Sequence, residues 1–115
     1  MNDRLLKNIN DLFRPYDLFS NTGLERNRDK MKTVIPDITE SEIVELENYL
    51  KEFYEYCSEY GNKLSVKYKL PFLPHSDEAE KDIKEYISLC QEKYPEIDSE
   101  HIQELFSTIC WLSNR

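Results

Sequence analysis

The chain has 115 residues and carries 23 acidic against 15 basic side chains, a net charge of -8, with a mean hydropathy of -0.73. Its length is that of one domain in the ordinary range of roughly 100–200 residues, and no apolar run approaches the ~20 residues that span a membrane. Two glycines and five prolines exclude collagen-like and low-complexity chains, and Met1-Asn2-Asp3-Arg4 lacks the charged and apolar regions of a secretion signal, so a single cytoplasmic domain over 1–115 is expected.

Leu5, Leu6, Ile9, Leu12 and Phe13 recur at helical spacing and predict an amphipathic helix from Asp3 to Arg14, capped by Asn2 or Asp3 and ended or kinked by Pro15. Tyr16 to Gly23 reads as a connection that holds Leu18 and Phe19 against the core. Leu24 to Lys32 is polar and basic, with weak helical signal, and Thr33-Val34-Ile35 is expected to be extended before Pro36. Thr39-Glu40-Ser41-Glu42 is a capping box. The stripe Ile43, Leu46, Leu50, Phe53, Cys57, Tyr60 and Leu64 follows it and predicts the longest helix.

Lys63 to Leu70 alternates like a strand, and a short two-stranded element pairing 33–35 with 63–70 is the alternative there. One glycine costs a helix only ~1 kcal/mol, so the helix is expected to run through Gly61 to about Tyr68. Leu70 to His75, with Pro71 and Pro74, must connect. A third helix begins at Ser76 or Asp77 with Ile83, Tyr86, Ile87, Cys90 and Tyr94 on its apolar side, and Pro95 closes it. Asp98 or Ser99 caps a fourth, with Ile102, Leu105, Phe106, Ile109 and Leu112 on one face. The expected fold is all-α, a bundle of about four helices with proline-marked connectors.

Residues 37–60 carry one basic and eight acidic side chains, and residues 76–115 carry four and ten. Phosphate backbones repel such a surface, so no direct nucleic-acid contact is expected. The basic run Arg26, Arg28, Lys30 and Lys32 is expected to pair with the chain's own carboxylates. Cys57, Cys90 and Cys110 form an odd set without a CxxC pair, which reads as three buried thiols and neither a disulfide nor a zinc site. Asp98, His101 and Glu104 share a helix face, but no second ligand pair matches them, so no metal or other cofactor is expected.

No nucleophile motif or phosphate-cradling glycine loop is present, and no catalytic residue is assigned. The sharpest feature is a shoulder of the long helix, Glu45, Tyr49, Glu52, Tyr56 and Glu59, at steps of four and three, with Glu55 beside it. Tyrosine suits interfaces and carboxylates suit Arg or Lys; the plain reading is half-buried tyrosines and solvated glutamates. Trp111 falls roughly opposite the centre of the last helix's apolar stripe. It is either covered by Leu18–Phe19 or the Pro71–Pro74 connector, or exposed to a partner. The expected function is therefore an interaction domain of inhibitor, immunity or adaptor type that binds a basic protein through this face and Trp111. The alternatives are a small helical enzyme or ligand-binding domain using His75 or His101 with carboxylates, and a DNA-mimicking inhibitor.

Overall fold

The structure, a computed structural model, describes residues 1–69 and 76–113. The expected connector Leu70–Pro74 and His75 lie outside the described residues. Among the described residues five α-helices follow one another: α1 (Asp3–Lys7), α2 (Asn21–Val34), α3 (Glu40–Tyr68), α4 (Asp77–Lys93) and α5 (Ser99–Ser113), with 3-10 turns at Ile9–Asp11 and Pro15–Phe19. No strand occurs among the described residues, so the two-stranded alternative is set aside and the all-α expectation holds.

The spine is α3. Both halves of its capping box form: Thr39 Oγ1 accepts from the Glu42 N–H at 3.1 Å, and Glu42 Oε1 accepts from the Thr39 N–H at 3.0 Å. Twenty-nine residues give a rod of about 43 Å, close to the molecule's longest dimension of 47 Å. It runs through Gly61 and stops at Lys69, whose left-handed φ of 53° ends the α-helical hydrogen bonding. Gly61 is where α4 presses closest. A Cβ there would stand 2.9 Å from the Tyr86 phenol oxygen.

α4 runs antiparallel to α3. Tyr68 meets Asp82, the Cys57 carbonyl meets Tyr86, and Phe53 meets Tyr94. α5 returns in the direction of α3, placing Ile109 beside Gly61. Buried residues from all three helices join Leu5, Ile9, Leu12, Phe13, Met31 and Ile97 in the core. No helix among the described residues is long and apolar enough to cross a membrane.

The N-terminal third departs from expectation. Leu5, Ile9, Leu12 and Phe13 are all fully buried, as their spacing predicts, but the helix breaks at Asn8. The Asn8 side chain donates to the Arg4 carbonyl at 2.8 Å and its backbone leaves the helical region, a local competition typical of asparagine. Tyr16 to Gly23 is likewise no simple connection, because Pro15 starts a 3-10 turn and Ser20 caps α2, accepting from the Gly23 N–H at 3.0 Å. The polar run expected to be weakly helical, together with Thr33 and Val34 expected to be extended, is one fourteen-residue helix.

The buried side of α2 is Gly23, Asn27 and Met31, a spacing of four with little apolar surface. Gly23 lets its backbone touch that of Asp17. Asn27 accepts from the Arg14 N–H at 3.0 Å. Arg26 and Arg28 pair within the chain as expected: Arg26 with buried Asp17 at 2.8 Å, and Arg28 with Glu47 at 2.6 Å and Glu40 at 2.8 Å. Those carboxylates hold the Arg28 guanidinium well above its ordinary value.

Candidate partner-binding face

The seam between α3 and α4 is built from tyrosines. Tyr94 is buried at the end of α4 and takes edge-on contacts from Tyr49, Phe53 and Tyr56, with ring centroids 5.6, 5.2 and 5.9 Å away. Burial first, and then the Glu96 charge, push the Tyr49 phenol up to about 12. Burial first, and then Glu52, do the same to Tyr94. Both phenols are therefore neutral donors near neutral pH. Tyr49 belongs half to the core, whereas Tyr56 keeps 39% of its surface exposed.

Further along, the seam opens into a cleft of about 300 Å³ lined by Tyr56, Glu59, Tyr60, Lys63, Tyr86, Leu89 and Cys90. Tyr60 was expected in the core, but it is 41% exposed. The approach of α4 and α5 turns Ser58, Gly61 and Ser65 inward instead, and Tyr60 rests edge-on against Tyr86 at 5.8 Å. Leu89, 47% exposed, forms part of the opposite wall. Tyr56, Tyr60 and Leu89 thus gather apolar surface at one place. Only Tyr56 of the three stood on the shoulder read from sequence. The spacing of Tyr60 pointed to the core, and Leu89 lay off its helix's stripe.

The carboxylates divide. Glu45 meets the Met1 amino group at 3.3 Å. Among the described residues no ion pair engages Glu52, Glu55 or Glu59, and all three are exposed. Two cations stand nearby. Lys63 lines the cleft, and the Lys93 ammonium lies 5.9 Å from the centre of the Tyr56 ring. The Tyr56 face therefore already accepts a cation.

Of the two segments expected to cover Trp111, the Pro71–Pro74 connector lies outside the described residues. Trp111 is 53% exposed near the end of α5, and Leu112, expected on the core face, is 37% exposed. The last turn of α5 presents both to the surface, and Trp111 is not among the residues lining the α3–α4 cleft.

His101 has a structural task. Its Nε2–H donates to the Asn10 carbonyl at 2.8 Å, and its ring stands edge-on to Phe13 at 5.2 Å. The Asn10 side chain also bonds the Glu96 carbonyl and the Asp98 N–H, at 3.0 and 2.7 Å. Among the described residues no group of three or more His, Cys, Asp and Glu side chains is placed to hold a metal ion. A larger cleft of about 700 Å³ lies between α4 and α5, lined by residues that include Ile83, Ile87, Phe106 and Cys110 with Glu80 and Lys84. Among the described residues that line it there is no exposed aromatic cluster, and Glu80 is balanced by Lys84.

Compared with protein-family models, with curated proteins and with solved structures, the chain finds no match.

Proposed function

We propose that the chain is a non-catalytic binding protein that takes a basic segment of a partner protein on the α3–α4 face. The observation that carries this reading is the coincidence of exposed Tyr56, Tyr60 and Leu89 with the carboxylates Glu52, Glu55 and Glu59. The arginines Arg4, Arg26 and Arg28 are engaged elsewhere by the chain's own acids. An incoming Lys or Arg would lay its stem on the tyrosines and its charge between the glutamates. The net charge of -8 would steer such a partner over a range that salt shortens to ~8–10 Å.

The test is capture of the partner from the native host, its identification by mass spectrometry, and binding kinetics with the purified pair. Glu52→Lys with Glu59→Lys should slow association and flatten its salt dependence while the melting temperature stays near wild type. Tyr56→Ala and Tyr60→Ala should chiefly speed dissociation. Tyr49→Ala should instead chiefly lower stability, because Tyr49 is half-buried against the core whereas Tyr56 and Tyr60 are exposed. Wild-type kinetics in the double charge reversal and in both Tyr56→Ala and Tyr60→Ala would show that the interface lies elsewhere.

A further inference from the structure

Cys57 and Cys90 occupy facing turns of α3 and α4. Tyr86, one turn before Cys90, donates its phenol to the Cys57 carbonyl at 2.6 Å, and glycine at position 61 leaves room for that contact. Tyr56 against Tyr94 and Tyr60 against Tyr86 set the register of the antiparallel pair, which puts positions 57 and 90 opposite each other, and each thiol acts on the other's proton. Both are buried, yet Cys90 also contributes to the wall of the α3–α4 cleft. Cys90 therefore sits at the inner wall of that cleft, behind exposed Tyr56, Tyr60 and Leu89.

We propose that Cys90 is a peroxide-reactive modification site whose oxidised sulfur is captured by Cys57 as a disulfide between α3 and α4. The Cys90 thiolate attacks one oxygen of hydrogen peroxide. The O–O bond breaks, and the departing hydroxide takes a proton and leaves as water. Cys57 sulfur then attacks the sulfenic sulfur of Cys90, the S–O bond breaks, and the second oxygen leaves as water with the Cys57 proton. Two thiols lose two electrons and one peroxide becomes two waters.

The division of roles follows from position: Cys90 lines the cleft, whereas Cys57 is fully buried and is not among the residues that line it. Cys57 keeps its proton, held up by its neighbour Cys90 and by burial. Cys90 is lowered from the ordinary thiol value by its neighbour Cys57. Cys110 provides the comparison. It lines the larger α4–α5 cleft, and burial raises it above the ordinary thiol value, with the Ser65 hydroxyl acting the other way. Access alone would favour oxidation of Cys110, whereas the facing pair favours Cys90.

The folded chain is exposed to hydrogen peroxide, quenched, unfolded, alkylated with iodoacetamide and mapped by mass spectrometry. The expected product is two hydrogens lighter, with the Cys57 and Cys90 peptides linked and Cys110 alkylated. In Cys57→Ser, Cys90 should pass on to the sulfinic acid, gaining two oxygens, while Cys110 stays alkylated. Three alkylated cysteines in the treated wild type would overturn the proposal. So would a crosslink through Cys110, a disulfide between two chains, or Cys90 no more reactive than Cys110 in Cys57→Ser.

Discussion

Replacing Gly23 by alanine tests whether α2 packs by backbone contact. A Cβ at this position would stand 2.3 Å from the Asp17 carbonyl oxygen, with the Asp17 Cα and carbonyl carbon at 2.7 and 2.8 Å. Close carbon–oxygen contacts in proteins settle near ~3.3–3.6 Å, so the added methyl overlaps its neighbour by about 1 Å. All three atoms are backbone, and no rotamer change relieves them. Either α2 or the Pro15–Phe19 turn must shift, and that turn is held by Asp17, buried and paired with Arg26. Overpacking costs ~1–3 kcal/mol, here at the upper end, while alanine returns about 1 kcal/mol of helix preference. The expected net loss is about 2 kcal/mol. In urea, with a slope of ~1.5–2 kcal/mol per molar, that moves the midpoint down by about 1 M. Glu25→Ala, on the exposed side of the same helix, should stay within ~0.5 kcal/mol and controls for propensity. A Gly23→Ala midpoint at or above wild type, with unchanged slope, would refute the close approach.

Phe53→Ala should cost about 3–5 kcal/mol, since Phe53 is fully buried and touches the rings of Phe13 and Tyr94; a loss below ~1 kcal/mol in equilibrium unfolding would place it outside the core. Glu42 is held down to about 2 from 4.5, first by the Thr39 N–H and then by Asn2 and Arg4. A carboxyl whose folded value lies below its unfolded one stabilises fully above the unfolded value and less as pH falls through the folded one. The melting temperature of wild type should therefore fall more steeply than that of Glu42→Gln between about pH 4.5 and pH 2, and parallel curves would contradict the assignment.

The helices legible in the sequence were those whose buried faces are apolar. α3, α4 and α5 carry Leu, Ile, Phe, Tyr and Cys at steps of three and four, with Thr39 and Ser76 as side-chain caps. α2 escaped because a helix can also be held by a glycine contact and a buried amide, and Gly23 and Asn27 give no hydrophobic signal. The spacing of Leu5, Ile9 and Leu12 identified buried residues but not the backbone between them. A short α-helix followed by a 3-10 turn buries the same positions as one longer helix. On the candidate face, Tyr56 and the glutamates were readable from α3 alone. Tyr60 and Leu89 were not, because their exposure depends on where a second helix crosses.

Asn10 bonds residues 86 and 88 positions further on, and His101 reaches back 91 positions to its carbonyl. A ribosome releases these partners in order, so the first segment waits for its anchor until residue 101 has emerged. Until then Leu5, Ile9, Leu12 and Phe13 lack part of the surface that covers them, and a nascent chain stalled before α5 exposes an apolar N-terminal segment to chaperones. Contacts spanning such long loops are made late and at an entropic cost that grows with loop length. Closing the N-terminal segment onto α5 is therefore a late step in making this protein, and truncation before Glu96 removes all of these contacts and leaves the segment held by α2 and α3 alone.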